Sequence, residues 1–67
     1  MIKYDYLLRH ADEDGSYDVS WNNTIAPKLN EGYEIFQITS AVISNGNERY
    51  WVRHFFWLRK IIKGDDE

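Results

Sequence analysis

The chain has 67 residues, 43% of them hydrophobic and 28% charged, with a net charge of −3 and no cysteine. That composition suits one folded domain, excludes disulfides and thiolate metal sites, and lacks the basic excess of a general nucleic-acid binder. A domain this small buries only about 60% of its unfolded surface, so association is the stabilising device left to it.

No apolar run approaches the length of a membrane span, and residues 1–10 lack the apolar segment of a signal peptide. The expected location is the cytoplasm. Residues 2–10 alternate, with Ile2, Tyr4, Tyr6 and Leu8 on one face and Lys3, Asp5 and Arg9 on the other; Leu7 breaks the pattern. This period predicts a half-buried strand. Residues 11–18 are acidic with a glycine and read as a solvated loop. Within it, Asp12, Asp14, Ser16 and Asp18 have the alternation of a calcium loop. Tyr17 stands where that loop needs Gly, and Asn23 where it needs Glu, so no metal is expected.

Trp21, Ile25 and Leu29 fall at i, i+4 and i+8 and predict a helix over residues 20–31. Asp18 or Ser20 suits its N-cap and Gly32 its C′ position. Pro27 removes one helical hydrogen bond and crowds the carbonyl of Asn23. The helix therefore starts near Thr24, or near Ser20 with a kink; the apolar stripe favours the longer, kinked helix.

Residues 33–44 and 47–62 predict two strands joined by Asn45-Gly46, the pair suited to a two-residue type I′ turn. That turn sets Ser44 opposite Asn47, Val42 opposite Arg49, Ser40 opposite Trp51, Ile38 opposite Arg53, Phe36 opposite Phe55 and Glu34 opposite Trp57. The acidic tail from Gly64 to Glu67 is expected to fray. The fold class is α+β in the order β-α-β-β: a single domain with one helix on a three-stranded, mainly antiparallel sheet of order 2-3-1.

The motifs Lys3-Tyr4-Asp5-Tyr6 and Leu29-Asn30-Glu31-Gly32-Tyr33-Glu34, with the closing aromatic and basic hairpin, resemble domain-of-unknown-function family 4177. Those small bacterial and phage proteins run from a short strand through a helix to Gly, an aromatic residue, Glu and a final hairpin. The resemblance covers most of the chain except the acidic loop. It implies a β-α-β-β fold and a phage or mobile-element setting, and it supplies no catalytic residue.

The last strand interleaves two patterns. Its even residues Tyr50, Val52, His54, Phe56, Leu58 and Ile62, interrupted by Lys60, form a core face beside Tyr33, Ile35, Ala41 and Ile43 for the helix to cover. Its odd residues Arg49, Trp51, Arg53, Phe55, Trp57, Arg59 and Ile61 lie beside Phe36, Ile38 and Val42, and one helix cannot cover both faces. The candidate site is therefore Arg49, Trp51, Arg53, Phe55, Trp57, Arg59 and Phe36, residue types enriched at interface hot spots. Three readings stay open: arginines stacked on rings as a solvated face, self-association or a protein partner, and a nucleotide or single-stranded nucleic acid on aromatic platforms.

His54, expected opposite Gln37, and His10 are the two histidines. No Ser-His-Asp pattern, phosphate loop or paired-carboxylate spacing accompanies them, so neither an enzyme nor a cofactor is expected. With the family resemblance, the leading expectation is a phage-encoded, non-enzymatic binding protein acting as a stoichiometric inhibitor of a host defence system. It would bind a host protein or sequester a small anionic signal.

Overall fold

The computed structural model describes residues 2–46 and 48–62. Strand β1 spans Lys3–Asp12 and extends two residues into the expected loop. One continuous helix follows in three parts: α1 Tyr17–Ser20, a π-helical stretch Trp21–Ile25, and α2 Ala26–Asn30. Strands β2 Glu34–Ser44 and β3 Tyr50–Ile62 close the fold. The sheet order is β1-β3-β2 with both pairings antiparallel, as the strand-helix-strand-strand order implies.

The π-helical stretch resolves the conflict over Pro27. The helix starts earlier than either expected position, and Pro27 occupies the first turn of α2, where a missing N–H is tolerated. The wider π turn immediately before it absorbs the mismatch. The Thr24 hydroxyl donates to the Ser20 carbonyl at 2.6 Å within that turn. Neither Asp18 nor Ser20 is the N-cap. Ser16 holds that position without a side-chain capping bond, and its own N–H and hydroxyl donate to Asp14 instead. The other end matches its expectation. Gly32 has φ +104°, its N–H donates to Leu29, and the Tyr33 N–H donates to Lys28, a Schellman stop.

The core is small. Ala11, Ile25, Phe56 and Leu58 are buried, with Leu7, Tyr17, Trp21, Leu29, Tyr33 and Ile35 packed around them. Trp21 meets Phe56 edge-on at 5.4 Å and stacks on Tyr17 at 6.3 Å. The helix packs over β1 and meets β3 through the side chains of Trp21 and Ile25. Lys60, the polar break in the core pattern, runs its stem past Gly32 and holds its ammonium 5.4 Å from the Tyr33 ring.

Two expectations about faces are corrected. In β1 the residues toward the helix are Leu7 and Ala11, opposite Leu58 and His54, while Tyr4, Tyr6 and Leu8 pair with Ile61, Arg59 and Trp57 on the other face. The apparent exception, Leu7, is the core residue. In the hairpin, positive φ falls on Gly46 and Glu48 rather than on Asn45, so the turn is not type I′. The Asn45 N–H donates to the Arg49 carbonyl at 3.4 Å across a longer connection. Ser44 then pairs with Tyr50, Val42 with Val52, Ser40 with His54, Ile38 with Phe56 and Thr39 with Phe55.

The register is thus three residues from the expected one, and an odd shift reverses faces. Ile38 and Val42 lie on the helix side; Ala41 and Ile43 lie on the open side. A bulge between Ile35 and Gln37 inserts Phe36, and beyond it Ile35 pairs with Leu58 and Glu34 with Arg59. The expected placement of Ile35 in the core and Phe36 on the open face therefore stands. Asn47, expected opposite Ser44, and the tail from Gly64 to Glu67 lie outside the described residues. Among the described residues no helix is long and apolar enough to cross a membrane.

Candidate functional site

The open face of the sheet is organised around Arg59. Its guanidinium sits 4.8 Å from the Tyr4 ring centre and 5.0 Å from that of Phe36, so two rings hold it from β1 and β2. Its Nε donates to Glu34 at 2.7 Å. That hydrogen bond, ahead of every other influence, pushes the Arg59 pKa up. Tyr6 packs edge-on to Phe36 at 5.8 Å and lies 5.9 Å from Tyr4. Leu8 is opposite Trp57, whose indole N–H reaches the Thr39 hydroxyl at 3.4 Å. Tyr6 is 59% exposed and Trp57 37%, with Leu8, Phe36 and Ile61 also exposed. Together these side chains form one apolar patch with a cation at its centre.

Farther along β3, Arg53 donates to Asp12 through Nε at 2.7 Å and Nη2 at 3.0 Å, a bidentate pair. The Asp12 carboxyl is held below its ordinary value, first by Arg53; the Trp51 indole adds to the effect. Trp51 Nε1 is buried and short of full hydrogen-bond geometry, so its contact with Asp12 is the weaker of the two. Phe55 meets His10 edge-on at 6.2 Å.

The seven expected site residues therefore divide. Phe36, Trp57 and Arg59 form the exposed patch. Trp51, Arg53 and Phe55 are half-buried on the same face under Asp12 and His10. Arg49 is exposed in the connection before β3. Tyr4, Tyr6 and Leu8, the apolar face of the expected half-buried strand, belong to the patch. The alternation Leu7, Arg9, Ala11, continued past the break at Leu7, is the signal that marks the opposite face as buried.

His54 is placed differently from expectation. Its partner is Ser40, not Gln37: Nδ1 is 2.7 Å from the Ser40 hydroxyl, and Nε2 is 2.8 Å from Glu13. Tyr17 stands edge-on to the ring at 6.0 Å. A depression of about 280 Å³ opens here, lined by Glu13, Tyr17, Ile38, His54 and Phe56. Hydroxyl, imidazole and carboxylate stand in series, an order that an activated serine also uses, and the series links the loop after β1 and strand β2 to β3. Among the described residues no group of three or more His, Asp or Glu side chains is placed to hold a metal.

Comparison of the chain with protein-family models, with curated proteins and with solved structures gives no match.

Proposed function

We propose that this chain is a non-enzymatic binding protein that docks on a protein partner through the open face of its sheet. The observation that carries the proposal is the contiguous exposed patch of Tyr6, Leu8, Phe36, Trp57 and Ile61 with Arg59 held between rings. Large apolar patches centred on Trp, Tyr and Arg are interface material, because the rings bring much area at little entropic cost. The electrostatics favour a protein over an anionic ligand. Arg59 and Arg53 are already neutralised by Glu34 and Asp12, and a phosphate would have to displace those carboxylates. The resemblance to family 4177 extends the proposal to a phage-encoded protein that occupies a host defence protein one-to-one.

Capture from a bacterial host lysate tests it. A partner should be retained in equimolar amount by the wild-type chain and lost with the double variant Tyr6→Ala, Trp57→Ala, while circular dichroism stays the same. Equal capture by both proteins, or recovery of nucleic acid whose binding falls steeply with salt, overturns the reading.

A further inference from the structure

We infer that the free edge of β2 pairs antiparallel with β2 of a second copy, joining two three-stranded sheets into one continuous sheet. β2 is an edge strand, and its run from Ile35 to Ser44 contains no charged residue and no proline. The other edge strand, β1, carries Lys3, Asp5, Arg9, His10 and Asp12. Edge strands that stay unpaired are blunted by charge, proline, a bulge or a covering element, and past the bulge at Phe36 β2 has none of these from Ile38 to Ser44. The helix packs over β1 and touches β3 through Trp21 on Phe56, which leaves Ile38 57% and Val42 68% exposed on the helix side of β2.

The hydrogen-bond alternation identifies which groups are offered. One step beyond the Ser44–Tyr50 pair, the Asn45 N–H donates to the Arg49 carbonyl, so by alternation the odd-numbered residues of β2 point their backbone groups at β3. The Val52 carbonyl accepts from Glu13 on the β1 side, in agreement with that alternation. Ile38, Ser40 and Val42 therefore present their N–H and C=O groups outward. A twofold axis through Ser40 sets Ile38 of one copy opposite Val42 of the other, twice over, and buries both side chains on the helix face. Thr39 then faces Ala41 on the open face. The segment is self-complementary in hydrogen bonding, in apolar pairing and in its lack of charge, so the occupant is a second copy rather than an unrelated strand. This pairing uses the sheet edge and stands independently of the open-face partner; it also moves the expected self-association from the face to the edge.

The test is mass by sedimentation, from micromolar to near-millimolar protein, with amide exchange read residue by residue. The wild-type chain should be a dimer in the upper range, with slow exchange at Ile38, Ser40 and Val42 although none has an outward partner within its own chain. Val42→Lys sets a charge beside each Ile38 and should give a monomer with those three amides fast. Val42→Thr, which keeps β-branching and neutrality, should stay dimeric. A wild-type monomer throughout the range overturns the inference. So does a dimer that survives Val42→Lys and is split by Trp57→Glu, which would place the contact on the open face.

Discussion

Asp12 ends β1 and joins Arg53, His10 and the Trp51 indole in one half-buried cluster. Its carboxyl lies below the ordinary value of 3.8 because Arg53 hydrogen-bonds to the charged form. A depressed folded-state pKa contributes stability that is complete above the unfolded value and is lost as pH falls through the folded value. Between neutral pH and about pH 3, Asp12→Asn should therefore lose less of its melting temperature than the wild type. Equal acid limbs in the two melting curves would show that the pair contributes nothing to folding. Single residues were legible in proportion to how locally their role is set. Gly32 was readable because a helix stop demands positive φ at one position. Leu7 was not, because β1 is wet and half-apolar on both faces and its period alone does not say which face meets the helix. The partners of His54 were hidden for a different reason: Glu13 is 41 positions away and reaches the ring through a loop.

At the scale of elements, the hairpin connection makes a sharp prediction. Glu48 has φ 61° and Asn45 does not have positive φ. Glu48→Gly should stabilise the protein by about 0.5–1 kcal/mol, since glycine accepts that conformation without strain. Gly46→Val, at φ +86°, should cost about 1 kcal/mol or more. Urea unfolding of the two variants checks this geometry, since a type I′ turn over Asn45-Gly46 would give Glu48→Gly no gain. The strands and the helix themselves were legible from period two and from the Trp21, Ile25, Leu29 stripe. Their registers were not. A five-residue connection and a one-residue bulge each move the pairing without altering the alternation of the strand that carries them. The bulge at Phe36 undoes the reversal made by the connection, so Ile35 lands as expected while Ile38 and Val42 do not. Pro27 likewise pointed to an irregular helix, and the π turn is a way of being irregular that neither a kink nor a late start describes.

For the whole molecule, stability rests on few side chains. Ile25 is fully buried between the helix and the sheet, in a core that has four buried members among the described residues. Ile25→Ala should cost about 2–5 kcal/mol, a large share of what a domain this small has to lose. Thermal melts should show the transition shifted far down or absent, and a shift within error of the wild type would mean that the helix is not the lid of this core. Strand order was readable from chain order because one helix between the first two strands leaves the third free to sit between them. The difference in charge between the two outer strands reaches beyond the single chain. A sheet with two adhesive margins has a valence of two and propagates into a fibre; a sheet with one has a valence of one, and growth stops at a pair. With β2 paired as inferred, the charges along β1 act as a terminator: they let a chain with one sticky margin remain a finite particle at the concentrations at which a protein is made.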